Sequence, residues 1–223
     1  MSTGSTTSTG CDTHDMVLLH RVFRRQFGQL PAIIQAVAEG DRDRAAVIAA
    51  HAGEQLDVLH HHHTNEDELL WPKLRERPQL DAELTDRMQA QHEQVAGIVG
   101  SVGGLLRSWS ADGNRRDRER LAAEMQRLHA ALSRHLDEEE ERVLPIVAET
   151  LTRQEWAHLA KRGMAKIRPS RRLVFLGYIL EDATPDERRA FLNHIPPPIR
   201  LAYRVIGRRK QAREIAVLRG PLA

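Results

Sequence analysis

The chain has very little of three things: cysteine, aromatic residues and long apolar runs. Its 223 residues include a single cysteine, Cys11, so neither a disulfide framework nor a thiolate metal site can form within one chain. Any metal must therefore be held by nitrogen and oxygen ligands. No stretch approaches the roughly 20 apolar residues that span a bilayer, and the polar start lacks the features of a signal peptide. We expect no membrane insertion and a cytoplasmic location.

Aromatic residues make up only 4% of the chain, while Ala, Leu, Glu, Arg and Gln are frequent. This composition favours helix over strand, and we expect an all-α protein. The sequence has no Gly-rich phosphate loop after a strand and no nucleophile elbow, and its single thiol is not placed for catalysis. These absences argue against the common nucleotide-binding and hydrolase classes.

Charge is unevenly distributed, although the net charge is only +2. Residues 1–150 hold 17 Lys and Arg against 25 Asp and Glu, whereas residues 151–223 hold 16 against 6. We expect the basic tail to pack its apolar stripe on the rest of the chain. Contact with a protein partner is the alternative, and the thin scatter of aromatic residues disfavours nucleic acid.

Apolar residues recur every three or four positions along four long segments, which predicts four helices of about 25 to 30 residues. The short connections predict an antiparallel up-and-down four-helix bundle over residues 14–150. A polar lead, residues 1–13, is predicted to be disordered. Residues 151–223 are predicted to form a basic C-terminal helical extension. Pro72 and Pro78 are expected to close the second helix.

One motif occurs twice in the chain. Residues 60–72 read HHHHTNEDELLWP, in which His62 and Glu66 form a His-x-x-x-Glu pair that is followed by a proline six residues after the acid. His135 and Glu139 repeat the pair, again with a proline six residues later. Because residues four apart share one helix face, each pair can point into the bundle interior.

Each preceding helix adds one histidine to its pair, His20 in the first and His92 in the third. Two such hairpins would bring together four imidazoles and two carboxylates. Buried carboxylates without partners are costly, so bound cations best explain the set. The six ligands divide into two sets of two His and one carboxylate, which is typical of non-haem iron. Two irons fit best, while ligand type alone leaves manganese and zinc open.

This arrangement resembles the haemerythrin-like (HHE cation-binding) family. Its members carry a His on helix one, His-x-x-x-Glu on helix two, one or two His on helix three, and a His followed by an acid on helix four. The resemblance covers about residues 14–148 and implies a centre of two non-haem iron ions bridged by an oxo or hydroxo group. Carried over by position, it makes these residues the metal ligands: His20, His62, Glu66, His92, His135 and Glu139.

One position departs from the family pattern. Oxygen-carrying members have a second His one turn before the helix-three ligand, and this chain has Met88 there. A thioether is a poor ligand for a hard ferric centre. The centre is therefore expected to be one His short, which disfavours reversible oxygen carriage and favours reaction with peroxide, nitric oxide or oxygen.

Several neighbouring side chains compete for roles at this centre. His63 either faces solvent, acts as a donor behind the ligands or substitutes for a ligand, and the other histidines of the run are predicted to face solvent. His51 is expected either to be a packed side chain or to lie behind the ligands, and His14 lies next to the polar lead. Glu140 is the rival of Glu139, since an acid five residues after the His also occurs in the family.

The resemblance implies a non-haem di-iron protein that binds or reduces a small oxidant, namely O2, H2O2 or NO. Scavenging of peroxide or nitric oxide would make it an enzyme, and the residues alone leave that question open. The alternative function is an iron- or redox-responsive sensor or interaction module that acts through the basic C-terminal helices.

Overall fold

The computed structural model describes residues 10–77 and 81–220, and every element in these ranges is helical, as the composition predicts. The first part contains α1 (His14–Gln35), α2 (Arg42–Asn65), α3 (Trp71–Arg75), α4 (Ala82–Asp112), α5 (Arg115–Glu138) and α6 (Leu144–Thr150). The extension contains α7 (Arg153–Lys166), α8 (Arg172–Leu180), α9 (Pro185–Asn193), α10 (Pro197–Ala202) and α11 (Arg208–Arg219). Short π-helical or 3-10 turns are Glu66–Leu70, Glu139–Val143, Pro169–Arg171 and Tyr203–Gly207.

Helices α1, α2, α4 and α5 form the bundle, in which each packs against two of the others. The side chains of Asp41, Asp81 and Asn114 accept hydrogen bonds from first-turn N–H groups and so start α2, α4 and α5. Gly113 ends α4 with a φ of 67°, and its carbonyl accepts a 3.0 Å hydrogen bond from the N–H of Gly40. The two hairpin turns therefore touch at one end of the bundle.

The apolar interior of the bundle falls into two clusters along its length. The first includes Phe23, Phe27, Ile48, Leu59, Val95, Trp109, Leu128 and Leu132. The second includes Met16, Leu70, Trp71, Leu74, Met88, Val143 and Val147. Full burial of one such side chain contributes about 1.5–3 kcal/mol, so the clusters hold the four helices together. Every predicted ligand lies between members of the two clusters on its own helix.

A π-helical turn follows each repeated His-x-x-x-Glu motif. In the first turn, the N–H of Trp71 donates to the carbonyl of Glu66, five residues earlier. In the second turn, the N–H of Leu144 donates to the carbonyl of Glu139. A proline comes directly after each of these N–H groups. Because proline has no N–H and its ring collides with the carbonyl four residues back, the chain takes the wider turn at both places.

The expectation that Pro72 closes the second helix is wrong. The helix continues beyond the π turn as α3 and ends at Arg75. In a π turn the hydrogen bonds shift by one residue, so the helix continues although proline donates no N–H. The proline then lies in the first turn of the following helix, where it is tolerated. Pro78 lies outside the described residues.

Part of the predicted disordered lead is attached to the bundle. Residues 1–9 lie outside the described residues. The N–H groups of Gly10 and Cys11 donate to the carbonyls of Leu151 and Ala148 at 3.1 and 3.0 Å. These backbone hydrogen bonds hold the residues just before α1 against the end of α6, so disorder is not the state of residues 10–13.

The extension packs its apolar side on α1, as its pattern predicts. Its contact cluster joins Leu18 and Val22 of α1 to Val174, Phe175 and Tyr178 of α8. Ion pairs surround this cluster, because Arg171 bridges Glu54 of α2 and Glu214 of α11, and Arg25 of α1 contacts Glu181 and Asp182. Among the described residues, no helix has the length and apolarity needed to cross a membrane.

Candidate metal centre

The six predicted ligands converge in the bundle interior, and His63 joins them. All seven side chains are at most 7% exposed, although every one is polar or ionisable. They come from α1, α2, α4, α5 and the first residues of the two π turns. Their donor atoms fall into two groups, and within each group all donor atoms lie within 4.8 Å of one another.

The first group joins helices α1, α2 and α5. Its members are His20, His62, Glu66 and Glu139. The Nε2 atom of His20 lies 3.5 Å from Oε2 of Glu139, and Nδ1 of His62 lies 3.2 Å from Oε1 of Glu66. Donors bound at about 2.0–2.2 Å from one ion lie at most about 4.4 Å apart, so the observed spread is close to that of one coordination sphere.

The second group joins α2, α4 and α5. Its members are His63, Glu66, His92 and His135. The His63 ring stacks on that of His92 with centroids 4.2 Å apart, and Oε2 of Glu66 lies 3.5 Å from Nε2 of His92. Three imidazoles and one carboxylate thus surround a second position that could hold a cation.

Both carboxylates lie between the two groups. Glu66 directs Oε1 toward His62 of the first group and Oε2 toward His92 of the second. Glu139 reaches both groups through Oε2, which lies 3.5 Å from His20 and 3.7 Å from His135. Glu66 belongs to both groups and is therefore placed to bridge two neighbouring cations, whereas Glu139 belongs to the first group and approaches the second.

Three of the imidazoles are oriented by hydrogen bonds from the ring nitrogen that faces away from the centre. The Nδ1 atom of His20 pairs with Glu140 at 2.9 Å, that of His92 with Asp67 at 2.9 Å, and that of His135 with the Gln91 side-chain oxygen at 3.1 Å. Each acceptor keeps the proton on Nδ1 and leaves the Nε2 lone pair free to point inward. This tautomer control is typical of metal-binding histidines.

The contact between His92 and His135 also indicates a cation. Their Nε2 atoms lie 3.2 Å apart. Because Asp67 and Gln91 hold the proton of each ring on Nδ1, both Nε2 atoms present lone pairs to each other. Two lone pairs at this distance repel, and a positive ion next to both would attract each of them and offset the repulsion.

The interior of the centre has many polar atoms without partners. Among the described residues, both carboxylate oxygens of Glu66 and of Glu139 lack a hydrogen bond, as do the Nε2 atoms of His20, His62 and His63. Each unsatisfied neutral group costs about 1–3 kcal/mol when buried, and an unpaired charge costs more. Such a concentration within one bundle would be strongly destabilising unless a cation binds there, so the residues fit a metal centre.

Burial changes the ionisation of these groups in the absence of a cation. It lowers the pKa of His62 and His63 well below the usual value, with help from neighbouring imidazoles, and lowers the pKa of His135 to about 2. Burial also raises the pKa of Glu66 and Glu139. Without a cation, burial therefore favours neutral imidazole rings and protonated carboxyl groups. A bound cation would favour ionised carboxylates instead.

Glu140, the rival of Glu139, has a different position. Glu139 is fully buried among the imidazoles, whereas Glu140 lies behind His20 and also accepts a 2.7 Å hydrogen bond from Arg24. Burial alone would raise the pKa of Glu140, but the hydrogen bonds from His20 and Arg24 outweigh it and lower that pKa. Glu140 therefore orients His20 as an ionised acceptor.

The remaining histidines that could compete lie away from the centre. The Nε2–H of His51 donates to the side-chain oxygen of Gln26, and the ring lies near Glu214, next to the extension. His14 is exposed and pairs with Glu187. His60 is exposed and His61 is half-buried beside a cavity of the extension.

Sequence reasoning left His63 undecided and did not find Asp67 or Gln91. The repeated motif points to one histidine of the run, and no second copy marks His63. Asp67 and Gln91 each adjoin a predicted ligand in sequence, but each hydrogen-bonds to a ligand on another helix. An acid or amide beside a predicted ligand is a weak signal, so only helix packing could identify Asp67 and Gln91.

The position that carries a second histidine in oxygen-carrying members of the family is apolar in this chain. Met88 is fully buried in the second apolar cluster with Trp71 and Leu74. His63 instead supplies a third imidazole to the second group.

The comparisons with known proteins agree with this geometry. The model of the family described as Hemerythrin HHE cation binding domain matches residues 11–147, which is more than half of the chain. A search of curated proteins and a search of solved structures each found no match. The matched range includes all seven converging side chains, and the extension from α7 onward lies outside it. The chain therefore belongs to the hemerythrin HHE cation-binding domain family.

Proposed function

We propose that the chain is a non-haem di-iron protein that binds or reduces a small oxidant, O2, H2O2 or NO. The supporting observation is the pair of buried carboxylates, Glu66 and Glu139, which have no hydrogen-bond partner and lie between two groups of imidazoles. Iron is the metal that a set of His and bridging carboxylate ligands suits best. When bound, the two irons would supply the redox chemistry and the open positions for a small ligand.

The residues proposed to hold the two irons are His20, His62, His63, Glu66, His92, His135 and Glu139. The chain contributes three things to the reaction. It supplies the ligands, it fixes three imidazole tautomers through Glu140, Asp67 and Gln91, and it surrounds the centre with two apolar clusters. The apolar surroundings exclude bulk water and favour an uncharged ligand such as O2 or NO.

We expect the purified protein to contain about two irons per chain, on the ligand count given above. Metal analysis by mass spectrometry measures this directly. Optical spectra of the reduced protein, mixed separately with O2, H2O2 and NO, then identify the ligand with which the centre reacts. One zinc per chain and no iron would contradict the di-iron proposal.

The same spectra separate this function from an iron-responsive sensor that acts through the basic tail. The exposed apolar side chains of Ile199, Leu201 and Val205 support the second function, because they offer a contact surface beside the basic residues of α11. A centre that holds iron but reacts with none of the three ligands would favour the sensor.

The proposed role of His63 makes a separate prediction. His63→Ala should reduce the retained iron from about two to about one per chain after dialysis against a mild chelator, because one iron loses an imidazole and the other keeps its group intact. His60→Ala is the matched control, since His60 is exposed in the same histidine run. Retention of two irons with an unchanged spectrum in His63→Ala would exclude His63 as a ligand.

A further inference from the structure

A cavity lies between the bundle and the extension. Its volume is about 220 Å³, and its wall comes from α1 and α2 on one side and from α7 and α8 on the other. Most of the wall is apolar, with Met16, Leu19, Leu159, Phe175 and Ile179 among the lining side chains. A space of this size has room for an organic molecule of roughly ten non-hydrogen atoms.

A buried amide faces this cavity without a partner. Asn65, the last residue of α2, lines the cavity and is only 6% exposed. No hydrogen bond to its side-chain amide is present among the described residues. The amide atoms of Asn65 are not among the fully enclosed polar atoms without a partner, so they are open to the cavity. The amide therefore marks a position where a ligand would supply hydrogen bonds.

A glycine on the opposite wall keeps the space in front of this amide open. Gly163 lies within α7, where glycine costs about 1 kcal/mol relative to alanine. A Cβ atom at Gly163 would lie 3.3 Å from Nδ2 of Asn65. The lack of a side chain thus leaves the amide accessible from the cavity.

Apart from Glu66 of the metal centre, the charged residues of the wall are paired with other side chains or face solvent. Asp15 accepts a 3.0 Å hydrogen bond from Nε1 of Trp156, and Glu54 is paired with Arg171. Lys166 and Arg168 are exposed at the open side. His62 and Glu66 also line the cavity, and on the proposed function they are engaged by the metal. The amide of Asn65 is then the buried neutral group left to a ligand, so the cavity favours a neutral ligand with one hydroxyl or carbonyl group over an ion.

We propose that this cavity binds a neutral, largely apolar organic molecule whose single hydroxyl or carbonyl group pairs with the amide of Asn65. The cavity also touches His62 and Glu66, so the bound molecule lies against two residues of the metal centre. The extension supplies half of the wall, and it lies outside the range that matches the family. The site is thus a property of this chain's extension.

The test measures binding of 2-phenylethanol, the probe, to the whole chain with its native metal by isothermal titration calorimetry. We expect a Kd of about 1 mM or below, which is reasonable for a small ligand in a preformed apolar site. Gly163→Leu, which fills the space before the amide, should weaken binding about tenfold or more. Ala157→Leu is the matched control, because Ala157 is exposed on the same helix and does not line the cavity.

Two further comparisons test the role of the amide. Asn65→Leu should weaken binding of 2-phenylethanol about tenfold, the expected effect of one buried hydrogen bond, but should not weaken binding of ethylbenzene. Phenylacetate should bind more weakly than 2-phenylethanol. Equal binding of 2-phenylethanol by wild type and Gly163→Leu, no binding by either, or preference for phenylacetate would overturn the proposal. Metal analysis of each variant separates these outcomes from loss of the metal centre.

Discussion

Glu66→Ala is expected to abolish retention of both metal ions, the largest effect we foresee for a single substitution. Glu66 directs one oxygen toward each group of imidazoles, so its removal takes a ligand from both positions at once. The substitution also removes a negative charge that lies between the two cations. Their mutual repulsion then disfavours the binding of both. We expect iron per chain to fall from about two to well below one.

Two controls make this result specific. Glu68→Ala changes an exposed acid on the same π turn and should leave the iron content unchanged. Without metal, the Glu66→Ala protein should be at least as stable toward urea as metal-free wild type, because the substitution removes a buried carboxylate without a partner. Retention of two irons by Glu66→Ala would contradict the bridging role.

Removal of the metal should strongly destabilise the native protein. A ligand that binds only the folded state at about 1,000 times its Kd adds about 4 kcal/mol of stability. For a chain of this size, that corresponds to a decrease in Tm of roughly 8–16 °C after chelation. Calorimetric scans of the loaded and chelated protein measure the change, and restoring iron should reverse it. An unchanged Tm would show that the polar interior is stable without a cation.

The pH dependence of the metal-free protein follows from the same groups. His62, His63 and His135 have lowered pKa values in the folded protein. Their contribution to folding stability is therefore fully present above the usual pKa of 6.5 and is lost as the pH falls below it. Glu66 and Glu139 have raised pKa values in the folded protein, so their contribution to folding stability falls as the pH rises above the usual pKa of 4.5.

Within the cluster, the imidazole and carboxylate effects oppose each other between pH 4.5 and 6.5, and only the imidazole effect remains below pH 4.5. The ion-paired carboxylates of Glu155, Glu187 and Glu214 have lowered pKa values, so they add to the loss of stability below pH 4.5. Urea denaturation of chelated protein should therefore show a steep loss of stability below pH 4.5. A gain in stability on acidification in that range would be the contrary result.

The sequence was sufficient for the helical class, the four-helix bundle and most of the converging side chains. Helix starts at Asp41 and Asp81 depend on local hydrogen bonds, and the apolar periodicity depends on residues within a few turns of one another. The pairs His62 with Glu66 and His135 with Glu139 follow from the i,i+4 geometry of a helix. These features were predictable because the interactions that produce them lie close together in the chain.

Features that depend on contacts between distant segments were decided by the tertiary structure alone. His63 joins the second group because α2 and α4 place its ring against His92, while Met88 packs into the apolar cluster. The hydrogen bonds of Asp67 and Gln91 also cross between helices.

The cavity at Asn65 likewise exists only because the extension folds back over α1 and α2. The sequence by itself thus determined which faces of the helices carry the histidines and carboxylates that converge. Which neighbours complete each face depends on the rotation and spacing of packed helices, which local periodicity does not specify.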